Sequence, residues 1–228
     1  MWTFSGAGWR WAVAACAAAG LLWGAGEAQA AKKWREYTGC HLRESGGNDG
    51  DSFHVEVGSL KSATARHKLF RLYFVDTPES EDSLPERLED QRKYWNLPDA
   101  QTVVKCGKMA SKFTKEYLGK QPFIALSKLQ DALGRSKIDR DYAMISLDGT
   151  EKTDLGYLLV RNGLARPTTT RVDLSDLDGY GRNADSWLQR LKVAEADAKR
   201  ERLGCWAFSS AGGVGGVRSE ERRVGKEC

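Results

Sequence analysis

Two acidic residues flank a glycine in the run NDGDS (Asp49 and Asp51), and the run FRLYFVDTPE that follows carries Arg71, Asp76, Thr77 and Glu79. A third cluster, QDALGRSK, places Arg135 after a glycine in a turn, and a fourth, AEADAKRERLGCW, closes the last helical pattern. Two carboxylates at strand ends together with a backbone carbonyl make a hard-oxygen site suited to Ca2+ or Mg2+. Arginines that fork onto phosphate oxygens suit a site where charge accumulates on a phosphoryl group. A further carboxylate, Glu79, is placed to activate water. Metal, arginines and base together describe phosphodiester hydrolysis. Each piece also has a plainer reading: Asp-Gly-Asp occurs in ordinary turns, and Arg71 could pair with an acid at the edge of the core.

These residues need elements to hold them. Phe53, Val55 and Val57 alternate with Ser52, His54 and Glu56, the period-two pattern of a half-buried strand, and SGGNDGD before them is turn chemistry. Residues 67–75 read as a second strand that delivers Asp76 at its end. The polar stretch over residues 81–102 reads as a surface excursion containing a short helix. Residues 103–118 fit an amphipathic helix ending at Gly119. PFIALSKL and DYAMISL read as strands. DLGYLLVRNGLA reads as a helix with Asp154 as N-cap and Gly163 near its C-terminal end, and residues 184–202 as a last helix with Lys192, Lys199, Arg200 and Arg202 on its solvated face. Strands, a helix, more strands and two helices suggest α+β, a small antiparallel sheet or barrel covered by helices. Composition does not choose between barrel and open sheet.

Hydrophobic residues make up 41% of the 228, enough for a core, so global disorder is excluded. The formal net charge of +4 is compatible with a polyanionic partner. At the N-terminus a lone Arg10 precedes an apolar run, and Ala28-Gln29-Ala30 supplies a small-residue cleavage site, so residues 1–30 are expected to be a signal peptide. The run is short for a membrane span. Residues 210–228 read as a structureless tail, of which residues 218–228 look like an in-frame translation of a sequencing adapter. His41, His54 and His67 read as surface residues, and no cysteine pair has metal-ligand spacing.

Taken in order, NDGDSFHV, FRLYFVDTPE, LGRS, LVRNGLAR and AEADAKRERLGCW resemble the staphylococcal nuclease-like (thermonuclease) family over residues 37–206. The resemblance implies a single domain over residues 31–209, a five-stranded OB-fold barrel with about three α-helices. It also implies Ca2+-dependent hydrolysis of DNA and RNA leaving 3′-phosphate and 5′-hydroxyl ends. Carried onto this sequence, Asp51, Asp76 and the Thr77 carbonyl would hold the metal. Arg71 and Arg135 would contact the phosphate, Glu79 would orient or deprotonate water, and Asp49 would support the site. The same layout would bring Cys106 and Cys205 together as a disulfide, with Cys40 the competing partner.

The sequence departs from the family at Ser52, in place of a threonine, and at Leu133, in place of a tyrosine before the Gly-Arg turn. It departs again at RPTTTRVDL, which lacks the tyrosines that commonly hold the nucleotide. The expected protein is an exported, periplasmic or secreted monomer acting on nucleic acid, with no stable protein partner and no membrane anchor after cleavage. The alternative is a noncatalytic nucleic-acid-binding OB module, which has no need to keep Asp51, Arg71, Asp76, Arg135 and Glu79 together.

Overall fold

The structure is a computed structural model that describes residues 33–58, 66–132, 140–177, 179–180 and 183–210. The expected signal peptide and the adapter-like tail lie outside the described residues, as does Arg135.

Five strands close into a barrel in the order β1 (Arg35–Leu42), β2 (Ser52–Val57), β3 (Arg66–Leu72), β6 (Asp141–Ser146) and β5 (Phe123–Ser127). All neighbours are antiparallel except β3 and β6, which run parallel. The alternating pattern of β2 does what its period predicts: Phe53 and Val55 are fully buried and face Phe70, Ala125, Ala143 and Ile145 in one core. Closure leaves no barrel edge unpaired. The mainly β core and its helical cover agree with the expected OB-type α+β fold.

Between β3 and the short β4 (Val75–Asp76) the chain turns sharply at Phe74, whose φ of 62° lies in the left-handed region that a bulky residue rarely adopts. The turn is held from outside. The Phe74 N–H donates to Thr170 Oγ1 at 3.1 Å, and the Thr168 N–H donates to the Phe74 carbonyl at 2.7 Å. This bend takes Val75 and Asp76 off the barrel to pair with β7 (Arg166–Pro167). Thr168 and Thr170 of RPTTTRVDL therefore hold the backbone of the segment that delivers Asp76.

Four helices cover the barrel, one more than the family resemblance implies and including the short helix expected within residues 81–102. The additional helix is α1 (Pro85–Trp95), with proline in its first turn, where a missing N–H costs nothing. α2 (Ala100–Leu118) starts at Asp99, whose carboxylate accepts from Thr102 N, and ends at Gly119. α3 (Leu155–Arg161) is capped by Asp154 as expected, and α4 (Ala184–Arg200) opens with a capping box of Asn183 and Ser186. The stretch expected to be a surface excursion is therefore anchored. Leu88 and Trp95 pack with Val103, Cys106, Cys205 and Trp206 in a second hydrophobic cluster between α1, α2 and the closing 3-10 turn, Gly204–Phe208.

Candidate functional site

The register of three strands brings the acidic turn and the charged strand end together. Ser52 lies opposite Arg71 across β2 and β3, and Arg71 lies opposite Tyr142 across β3 and β6. Asp51 is thus fixed at the mouth of β2, its backbone carbonyl accepting from Leu72 N at 2.8 Å. α2 steadies the turn from behind: Ser111 Oγ donates to Asp49 Oδ1 at 3.0 Å, and Thr114 Oγ1 donates to the Gly50 carbonyl at 2.7 Å. Ser111 and Thr114, three apart, share one helix face.

Arg71 ties the two carboxylates together. Its Nη2 donates to Asp51 Oδ2 at 3.2 Å and to Asp76 Oδ1 at 2.9 Å. Asp51 Oδ2 also accepts from the Thr77 N–H at 3.1 Å. Burial pushes the Asp51 carboxyl up to about 7, with Asp76 and Asp49 adding to the rise and Arg71 and Thr77 opposing it. Asp49 is raised as well, again chiefly by burial. The neighbouring carboxylates strengthen Arg71's hold on its proton, Asp51 foremost.

Asp76 is 4% exposed and is surrounded by donors. Besides Arg71, its Oδ1 accepts from Arg87 Nη2, while its Oδ2 accepts from Arg166 Nε at 2.9 Å and from Gln91 Nε2 at 3.5 Å. Arg87 Nε donates to Glu79 Oε1. Gln91, fully buried, grips the loop below: its Nε2 donates to the Thr77 carbonyl at 3.1 Å, and its Oε1 accepts from the Glu79 N–H at 2.8 Å. Arg87 and Gln91 stand one turn apart on α1, so a single helix face meets the whole DTPE segment. α2 presses on the same segment at Gly107, where a Cβ would stand 2.2 Å from the Glu79 carbonyl oxygen.

Part of this cluster opens onto a cleft of about 1230 Å³ whose walls include Asp51, Arg71, Glu79, Arg87, Arg140 and Tyr142, with Asp76 behind them. The structure brings together Asp49, Asp51, Arg71, Asp76, Thr77 and Glu79, every expected site residue among those described. Sequence reasoning missed Arg87, Gln91, Arg166 and Arg140. Arg140 enters just before β6: Nη1 donates to Ser52 Oγ at 3.0 Å, Nη2 donates to the Ala132 carbonyl at 3.2 Å, and Nε is buried with no hydrogen-bond partner among the described residues. Burial, then Arg71, lowers its proton affinity. Its signal was present, because an arginine directly preceding DYAMISL enters the barrel at the strand that pairs with β3.

Among the described residues no three His, Cys, Asp or Glu side chains converge as a metal cage. The donor set expected for Ca2+ is smaller: Asp51, Asp76 and the Thr77 carbonyl are all hard oxygens beside an open cleft that admits water, and they fit that ion. His54 and His67 stack on each other at 4.8 Å near the cleft rim and hold no such set. Cys106 and Cys205 are both buried free thiols lying side by side as hydrogen-bond partners, while Cys40 is buried in the barrel core.

A closed five-stranded barrel whose cleft gathers arginines and carboxylates defines a nuclease-like or nucleic-acid-binding barrel. A family model described as staphylococcal nuclease homologue matches residues 69–208, more than half of the chain, and the chain belongs to that family. A search of curated proteins finds no match.

Proposed function

We propose that the protein is an exported Ca2+-dependent nuclease that hydrolyses phosphodiester bonds of DNA and RNA with little sugar specificity, leaving 3′-phosphate and 5′-hydroxyl ends. The observation that carries this reading is Arg71 held between Asp51 and Asp76, in one cleft with Glu79 and Arg140. A module that only binds nucleic acid gains nothing from two buried carboxylates facing a polyanion.

Asp51, Asp76 and the Thr77 carbonyl would hold the metal, which when bound supplies positive charge to a phosphoryl oxygen. Arg71 and Arg140 bind the non-bridging oxygens and stabilise charge as it grows on phosphorus. Arg140 lines the same cleft as Arg71 and Glu79 and is anchored at its mouth by Ser52 Oγ, which turns its guanidinium toward a bound phosphate. We therefore assign the second phosphate-binding guanidinium to Arg140, with Arg135, five positions earlier in the sequence, as the alternative. Glu79 accepts the proton of the attacking water, the new P–O bond forms, and the P–O5′ bond breaks. The departing oxygen takes a proton from solvent water in the open cleft and leaves as the 5′-hydroxyl, and Glu79 returns its proton to solvent.

The protein is proposed to act as a monomer in the periplasm or outside the cell. The test is digestion of plasmid and of RNA by protein beginning at Ala31, with Ca2+ and with chelator. Cleavage of both substrates is expected with Ca2+ only. Glu79→Gln and Arg140→Ala should each lower kcat by about a hundredfold or more, and Arg135→Ala by much less. Activity surviving chelation would overturn the mechanism, and salt-sensitive binding without cleavage would favour the noncatalytic module.

A further inference from the structure

Asp76 is not on the wall of the cleft; Arg87 and Glu79 are. The Arg87 guanidinium covers the Asp76 carboxylate, bonded to it through Nη2 and to Glu79 through Nε. Asp76 Oδ1 therefore spends itself on two guanidinium groups, those of Arg71 and Arg87, and its Oδ2 on Arg166 and Gln91. A cation approaching Asp76 from the cleft meets Arg87 first.

The three arginines on Asp76 differ in how firmly they are held. Arg71 is also bonded to Asp51, and its side chain is 18% exposed. Arg166 is also bonded to Asp90 at 2.8 Å and lies over the ring of Tyr94. The Arg87 side chain is 36% exposed, and among the described residues its guanidinium hydrogen bonds go to Asp76 and Glu79 alone. It also sits in the first turn of α1, where the helix dipole disfavours a cation. The two carboxylates are what keep it there. A cation added beside these arginines repels them, and the least anchored of them, Arg87, is the one most readily released.

We propose that Arg87 is a resident counter-ion of the catalytic carboxylates, one that competes with the divalent cation for Asp76 and frees Glu79 when it yields. This inference rests on the metal reading above. It makes α1 a device that sets how much cation the site requires, and it turns Glu79 from a paired carboxylate into an available base in the same event.

The test is calorimetric titration of Ca2+ into the full chain, the Arg87→Gln and Arg87→Ala variants, and Asp51→Asn, without substrate. Arg87→Gln and Arg87→Ala are expected to bind Ca2+ about tenfold or more tightly than the unaltered protein, and Asp51→Asn to lose binding. Arg87 variants that bind as the unaltered protein does, or more weakly, while Asp51→Asn loses binding, would overturn the counter-ion and leave the metal reading standing. Binding unaffected in Asp51→Asn, or no binding in any variant, would remove the metal reading and the counter-ion with it. Two neutral replacements of different length separate loss of charge from a local packing defect. Melting temperatures of the four proteins confirm that each is folded.

Discussion

Gln91 offers the sharpest test of how the DTPE segment is held. Its amide is fully buried, donates to the Thr77 carbonyl at 3.1 Å and accepts from the Glu79 N–H at 2.8 Å. Gln91→Met keeps the length and volume of the side chain but returns neither bond. Two backbone groups then lose their partners, each at about 1–3 kcal/mol, and the apolar burial of methionine offsets part of that. The net loss should be about 2–4 kcal/mol. For a domain of this size each kcal/mol moves the midpoint by about 2–4 °C, so thermal unfolding followed by circular dichroism should show a fall of about 4–16 °C. Because the freed groups belong to the loop that carries Glu79, kcat measured well below the new midpoint should also fall, by about tenfold. A Gln91→Met protein melting within about 1 °C of the parent, with unchanged kcat, would refute the reasoning: the loop would be holding itself.

Gly107→Ala should lower kcat by about a hundredfold, since its methyl can be seated only by moving the Glu79 carbonyl, 2.2 Å away; steady-state kinetics on a fluorogenic oligonucleotide checks this. Burial raises Asp154 to about 7 from an ordinary 3.8, so between about pH 4 and pH 7 the native state binds more protons than the unfolded one and stability falls as pH rises. Asp154→Asn keeps the α3 cap and should remove about 2–3 kcal/mol of the pH dependence between pH 5 and pH 8, read from urea midpoints at those two values. Oxidation should join Cys106 to Cys205 and leave Cys40 free, raising stability by about 4 kcal/mol for a closed loop of about 100 residues. Non-reducing peptide mapping that finds Cys106 unmodified would exclude the bridge.

Much of the site was legible because its chemistry sits in two short runs whose alternation is that of ordinary strands. Asp51, Arg71, Asp76, Thr77 and Glu79 needed only the register of β2 against β3 to converge. Asp154 and Gly119 were legible for a similar reason, since caps act within a few residues. What escaped was the inward side of α1. Hydrophobic periodicity reveals a helix face that meets an apolar core; the face carrying Arg87 and Gln91 meets a charged loop, so its polar residues looked like solvent-facing ones. Arg140 escaped because its place depends on the parallel pairing of β3 with β6, a non-local fact that the Gly-Arg turn at Arg135 masked.

That parallel pairing also sets when the site can exist. Asp76 is completed by Arg166, 90 residues further along the chain, and Arg71 finds its neighbour strand only once β6 has been made. At a synthesis rate of about 5–20 residues per second, Asp76 waits roughly 5–20 seconds for Arg166. During that interval the emerging chain holds its carboxylates without the frame that aims them. Any product ending before β7 would carry the whole FRLYFVDTPE run and still leave Asp76 without Arg166.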